Sequence, residues 1–304
     1  MTKEFKVFVV IVTYNGMKWI EECLKSIQDS SIKTSVFVID NCSQDGTIEF
    51  ISENFQDIQI TKNTHNLGFG QANNVGITKA VNANADYILL LNQDAYLFPD
   101  SIEKLINSFN NNDGYGVLSP IQLHVNGERM ENLFFQFNAE AFNQLLSKFL
   151  LAKIQKSNTI KVDFVQAACW LIKKEVFAKI EGFDDLFYHY GEDNNFCQRL
   201  KSIGYEIGVV TDSFVYHDTT EETHKKITIK YELNRYRSNI LKYLYDINEP
   251  NVKKHYSYLL KKCYVNFITA IFTLSPRGAF LEIRKLILLI KLIFITKKRL
   301  KKLK

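Results

Sequence analysis

No two cysteines in this sequence sit at CxxC spacing. The five present (Cys23, Cys42, Cys169, Cys197 and Cys263) are odd in number and scattered. That excludes a disulfide framework and a clustered zinc site, and it fits a reducing compartment. Also missing is an uncharged apolar run of about 20 residues, the length that crosses a bilayer. The C-terminal stretch FLEIRKLILLIKLIFITKKRLKKLK comes nearest and is interrupted by Lys291. The N-terminal run FKVFVVIVT is short and lacks a small-residue cleavage site, so it reads as a buried strand rather than a signal peptide. There is no internal repeat, no low-complexity segment and no long linker.

The apolar share of 46% is enough for a sizeable core, which excludes disorder for most of the chain. Charge is unevenly placed. Residues 280–304 hold nine Lys or Arg and one acid, a local +8, while the whole chain is +5. The body before the tail is therefore slightly acidic, and the tail is a separate electrostatic object.

Strand and helix signals alternate through the first two-thirds. FKVFVVIVT (5–13), SVFVID (35–40), DIQITKN and DYILLLN (86–92) read as strands. Between them Ile20, Cys23, Leu24 and Ile27 recur at helical spacing, DGTIEFISENF reads as a helix opened by Asp45, and QANNVGITKAVNANA as another. Asp100 with Glu103 resembles a capping box for SIEKLINSF. Asn126-Gly127 reads as a hairpin turn, VDFVQAACWLIKK (162–174) as one strand, and 134–160 fits no element. A helix after Glu192 puts Phe196, Leu200 and Ile203 on one face and stops at Gly204. The alternation predicts an α/β fold: a mostly parallel, Rossmann-like sheet flanked by helices, with ligands at the carboxyl ends of its strands.

Polar residues gather at those ends: Thr13-Tyr14-Asn15, Asp40-Asn41 and Asn92-Gln93-Asp94, with His217 closing VVTDSFVYHD. Asp40 at a strand end can accept hydrogen bonds from a base or ribose. Two glycines among amides in NLGFGQANN let backbone N–H groups approach a diphosphate. Asp94 can hold Mg²⁺ or Mn²⁺ against phosphate oxygens. The stretch YHYGEDNNF sets Glu192 and Asp193 at the mouth of a helix, where they either favour the helix dipole or act on a substrate.

The ordered set VVIVTYN, VIDNCSQDGT, NLGFGQANN, LLLNQD, GFDDLFYHYGEDNNFCQRL and His217 resembles glycosyltransferase family 2 over residues 5–220, closest to its bacterial rhamnosyltransferase-like group. The resemblance implies the GT-A fold and an inverting transfer. It implies that Thr13, Tyr14, Asn15, Asp40 and Asn41 bind the nucleotide, and that Asn66, Gly68, Phe69, Asn74, Asn92 and Gln93 border the donor. It further implies that Asp94 and His217 hold a divalent Mg²⁺ or Mn²⁺, and that Asp193, beside Glu192, is the base. Tyr188, Tyr190 and Phe187 would stack on sugar faces. Trp170, where relatives often carry a smaller residue, either narrows the sugar pocket or packs.

The resulting organisation is a catalytic domain over 1–225 and a helical extension over 226–304, whose stretch 227–263 joins the body to a basic, membrane-associating tail. The expected partners are a nucleotide-sugar donor (dTDP-rhamnose is one candidate), a glycan or lipid-linked saccharide acceptor, and the cytoplasmic face of a membrane. Packing of the tail on the body, or on a second copy in a homo-oligomer, stands as the alternative. The acidic body and the lack of any known module argue against nucleic acid. Two other functions stay open: a catalytically silent membrane adaptor that binds nucleotide sugars, and a sugar-phosphate nucleotidyltransferase. The second would need a Gly-rich, Arg-containing loop where Tyr14-Asn15-Gly16-Met17 stands.

Overall fold

The computed structural model describes residues 5–150, 158–188, 190–219, 228–249 and 251–303. The chain divides into two compact units. One is Met1–Tyr188 with Glu192–Thr220, and the other is His189–Gly191 with Glu221–Lys304. The boundary expected between 225 and 226 lies outside the described residues.

In the first unit, β-branched and apolar runs form the parallel strands β1 (Val7–Thr13), β2 (Thr34–Asp40), β3 (Gln59–Lys62) and β4 (Tyr87–Asn92). They are joined by the helices α1 (Ile20–Gln28), α2 (Thr47–Asn54) and α3 (Phe69–Asn82). There follow β5 (Ala95–Leu97), α4 (Ser101–Asn111), β6 (Tyr115–His124), α5 (Asn132–Leu150), β7 (Thr159–Val162), β8 (Cys169–Lys173), α6 (Lys174–Ile180), α7 (Glu192–Ser202) and β9 (Glu206–His217). The sheet order is β3-β2-β1-β4-β8-β6-β9-β5, with β7 on β9. The side from β3 to β4 is parallel. Beyond it β8 runs antiparallel to both β4 and β6, so the sheet as a whole is mixed.

Both faces are covered, because alternate strand residues point opposite ways. Val7, Val9 and Ile11 pack with Ile20, Leu24, Ile51 and Leu105 on one face. Val10 packs with Ala72, Ile77, Phe177 and Phe196 on the other. Helix α3 lies so close to β1 that a Cβ on Gly76 would stand 2.2 Å from a Val10 methyl.

Four local expectations are corrected. Asp100 makes no side-chain cap: its carboxylate pairs with Lys104, one turn on, while Glu103 takes the Ser31 hydroxyl. The stretch 162–174 is not one strand, since 163–168 breaks from the sheet between β7 and β8. The unassigned 134–160 holds most of α5. Ile203 lies just past α7 and is exposed, while Phe196 and Leu200 are buried. The turn at Asn126-Gly127 does form, with Gly127 at φ +72° and its N–H on His124 O at 2.8 Å.

The second unit contains α8 (Ile229–Leu244), α9 (Val252–Phe272) and α10 (Pro276–Leu303). The expected helical stretch 227–263 is thus two helices. Thr228 caps α8 by accepting Tyr231 N–H. The helices bury Ile240, Leu244, Tyr256, Leu281, Leu289 and Leu292 among themselves.

Candidate active site

The parallel register sets Thr13 beside Asp40 and Val12 beside Asn92, so the loops after β1, β2 and β4 leave from one edge of the sheet. These loops fasten each other. Asn15 N–H donates to Ser43 Oγ (3.0 Å), Met17 N–H to Asp45 Oδ2 (3.0 Å), and Gln44 N–H to Asn15 Oδ1 (2.9 Å). Asp40 is buried at the end of β2, and its Oδ1 accepts Ser43 N–H at 3.0 Å.

Three residues expected at the ligand make hydrogen bonds that tie the scaffold together. Thr13 is fully buried and its hydroxyl donates to Gln93 Oε1 at 2.7 Å. Asn41 is buried, accepts from Leu67 N–H (3.0 Å) and Asn63 Nδ2 (3.1 Å), and donates to Gly68 O. Asn74 grips Phe183 through both backbone groups at 2.8 Å each. Arg199 holds the same segment through Ile180 O and Gly182 O, both at 2.6 Å. Each of these amides and hydroxyls thus spends part of its hydrogen-bonding capacity inside the protein. Gly68 has φ +80°, and a Cβ there would lie 2.0 Å from Tyr188 O, so no other residue fits. Tyr14 is exposed, and Asn66, Phe69 and Gln93 are partly so.

At the end of β4, Asp94 Oδ1 lies 3.6 Å from His217 Nε2, and Asn92 Nδ2 lies 3.4 Å from the same ring nitrogen. His217 is buried and its Nδ1 has no partner. Asp218, the next residue, receives Trp19 Nε1–H at 2.8 Å and Lys18 Nζ at 3.3 Å. Burial pushes the nearby Tyr96 hydroxyl pKa up, with Asp218 and Asp94 adding to it. Among the described residues no three His, Cys, Asp or Glu form a metal cluster. A carboxylate and an imidazole at this spacing do suit a cation that takes its other ligands from a diphosphate and water, as Mg²⁺ and Mn²⁺ commonly do. Sequence reasoning missed Asp218, because its partners Trp19 and Lys18 lie 199 and 200 residues away.

The opening acids split. Glu192 is buried on the first turn of α7, beside the start of α3 at Gly70. Asp193 is half-buried, with Oδ1 accepting Asn194 N–H at 2.7 Å. Burial raises the Asp193 pKa to about 6, against the pull of the Asn194 and Ala167 amides, which favour the charged form. Tyr190 (φ +66°) and Gly191 (φ +93°) both take left-handed backbone just before the helix. Tyr188 and Tyr190 are exposed rings, and Tyr188 OH reaches Asn66 O at 3.3 Å. Phe187 and Trp170 are not available for stacking. Both are buried, and Trp170 packs between Phe183 and Phe196 at ring separations of 6.3 and 5.5 Å. Its position on β8, paired with Leu90, turns the indole into the core, so Trp170 packs and lines no pocket.

One short segment joins the two halves. Ala168 O accepts Asn92 N–H at 2.9 Å, and the Ala167 amide donates to Asp193. That segment is held by Gln166 Nε2 on the buried Glu131 (2.7 Å) and by Gln122 Nε2 on Gln166 O (3.1 Å). No local signal marked Glu131, Gln122 or Gln166, because their roles arise from contacts 35 to 44 residues apart. A groove of about 1140 Å³, lined by Phe5, Tyr87, Asp113 and Lys173, opens among residues at the other ends of β4 and β8 and contains none of these groups.

Residues 8–181 match the model of Glycosyl transferase family 2, and 164–225 match that of the N-terminal domain of galactosyltransferase. One curated relative is the N-acetylglucosaminyl-diphospho-decaprenol L-rhamnosyltransferase of Mycobacterium tuberculosis, 24% identical over 71% of this chain and 76% of its own. Another is the rhamnosyltransferase WbbL of Escherichia coli, 23% identical over 74% of this chain and 92% of its own. Among solved structures, the mannosyltransferase PcManGT of Pyrobaculum calidifontis, in complex with GDP-Man and Mn²⁺, matches at TM-score 0.58 with 14% identity, over 96% of this chain and 88% of that one. TarS of S. aureus matches at TM-score 0.57 with 17% identity, over 82% of this chain and only 41% of TarS. The structural likenesses carry the fold, and the family model, spanning more than half the sequence, carries the family. The chain belongs to glycosyltransferase family 2 and is a glycosyltransferase.

Proposed function

We propose that the chain moves a deoxyhexose, rhamnose in the first instance, from a nucleotide-diphosphate donor to a lipid-linked saccharide, with inversion, at the cytoplasmic face of a membrane. The rhamnosyl names of its curated relatives support the sugar, and the decaprenol-linked substrate in one of those names supports the acceptor.

The observation that carries the mechanism is Asp193. A half-buried carboxyl with a pKa of about 6 is ionised at neutral pH, yet basic enough to take a proton. In the reading, the acceptor hydroxyl oxygen attacks the anomeric carbon while its proton passes to Asp193. The bond from that carbon to the diphosphate oxygen breaks in the same step, and the electron pair leaves with the diphosphate. Asp94 and His217 would hold a divalent ion, which when bound would neutralise the departing diphosphate. Asp40 would accept from the base or ribose, and Tyr188 and Tyr190 would offer ring faces to sugars. Glu192, buried behind Asp193, would position the helix start.

The test is thermal stabilisation by a panel of nucleotide sugars, with and without Mn²⁺, followed by turnover with the stabilising donor. One donor that stabilises the protein more strongly with metal, and is consumed by the wild type but not by Asp193→Asn, is the expected result. A donor bound by both proteins and consumed by neither would overturn the proposed donor, acceptor and base.

A further inference from the structure

Helix α10 carries two apolar faces where a packed helix needs one. On α10, Leu281, Leu289, Leu292, Ile293 and Thr296 are buried, and the helix packs on α8 and α9. The opposite face repeats every three and four residues as Phe280, Ile283, Ile287, Ile290 and Phe294, and all five are exposed. At the turn that begins this stripe, Phe272 and Leu274 stand 83% and 89% exposed, and Leu274 takes φ +49°.

Basic residues run alongside at seven-residue spacing: Arg277, Arg284, Lys291 and Lys298. The Arg284 guanidinium lies 5.7 Å over the Phe280 ring. The sole acid of α9 and α10 is Glu282, which is buried and bonded to Lys285 Nζ at 2.6 Å. Every exposed charge on the two helices is therefore positive. No described helix is long and apolar enough to cross a membrane.

We propose that this face, the stripe from Phe280 to Phe294 with Phe272 and Leu274 at its end, lies on an anionic lipid bilayer. Apolar side chains enter the acyl boundary, while the flanking Arg and Lys reach phosphate headgroups. The alternative occupant is a second copy, since the spacing also suits a coiled-coil seam. Charge decides between them. A symmetric pair would set the basic rows against each other with no exposed acid on either helix to pair them, whereas a phosphate surface complements them. The proposal deepens the membrane part of the transferase reading and is measured apart from donor binding.

The experiment is co-sedimentation of the full chain with vesicles of phosphatidylcholine alone and of phosphatidylcholine with phosphatidylglycerol, at low and high salt. The expected result is binding to the anionic vesicles, weakened by salt, and little binding to the neutral ones. The double variant Phe272→Ser/Leu274→Ser and the triple variant Arg284→Gln/Lys291→Gln/Lys298→Gln each lower the partition by about tenfold or more. Both keep wild-type circular dichroism and wild-type stabilisation by donor, which shows that the sheet unit is intact. Wild-type protein that stays in the supernatant with anionic vesicles overturns the proposal. So does a dimer in lipid-free solution that Ile287→Ser/Phe294→Ser converts to monomer without changing vesicle binding. Vesicle binding with no donor binding would uphold this inference and sink the proposed donor assignment instead.

Discussion

At the strand ends of the sheet unit, Thr13, Asn41 and Asn74 are hydrogen-bonded inside the protein, and Trp170 is fully enclosed. On α9, α10 and the turn between them, Phe272, Leu274 and Phe294 stand in solvent, and the exposed charges of the two helices share one sign. The first unit holds its polar groups to fixed positions, as a site that must orient a reacting pair does. The second leaves apolar and basic surface uncommitted, as a surface-binding element does. One chain thus separates precise geometry from broad adhesion, and each can be perturbed alone.

The strongest way to sharpen that contrast is Asp193→Asn. We expect kcat to fall by about 10²- to 10⁴-fold, with donor affinity measured by calorimetry unchanged. Joint loss of binding and turnover would mean that Asp193 holds the fold of the site rather than a proton. Next comes Asp94→Ala. The stabilisation that Mn²⁺ adds to donor binding should vanish, while donor binding without metal persists. A full metal effect in this variant would remove Asp94 from the metal site.

Gly68→Ala tests the scaffold itself. The added methyl meets Tyr188 O in a left-handed turn, and destabilisation of about 2 kcal/mol or more is expected by denaturant titration. A loss below about 0.5 kcal/mol would show that the loop gives way.

The pH response is smaller and its sign is fixed by the raised Asp193 pKa. The folded state holds this proton up to about pH 6, whereas an unfolded aspartate releases it near 4. The stabilising contribution is therefore full below pH 4 and lost as pH rises through 6. Asp193→Asn should melt a few degrees above wild type at pH 8 and lose that advantage at pH 4. Over the same range, wild-type kcat/KM should climb to a plateau above about pH 6. The smallest effect is predicted for Phe294→Ser, which should change unfolding stability by less than about 0.5 kcal/mol because its ring already faces solvent.

Much of the sheet unit was legible because its signals are local. Apolar runs marked β1, β2 and β4, helical spacing marked α1, and the polar tripeptides at strand ends fell where the sheet edge lies. The capping box failed for one local and one tertiary reason: Asp100 pairs with Lys104 one turn on, and Glu103 takes the Ser31 hydroxyl 72 positions away. The break at 163–168 was hidden because VDFVQAACW is apolar enough to read as continuous strand, while the segment is held by distant partners, Glu131 and Gln122 on Gln166 among them.

By itself the sequence determined the alternation of strands and helices, the carboxylates at strand ends and at the mouth of α7, and the charge of the tail, since each depends on neighbours within a few residues. Tertiary structure decided which of those polar residues stay open to solvent and which are buried in hydrogen bonds within the protein. Thr13 is sealed by Gln93, 80 residues on, and His217 meets Asn92 across 125. It also decided that α10 buries one apolar face and exposes the other. Hydrogen-bond capacity and solvent exposure are properties of what the fold brings alongside a side chain, and no local window of sequence contains that information.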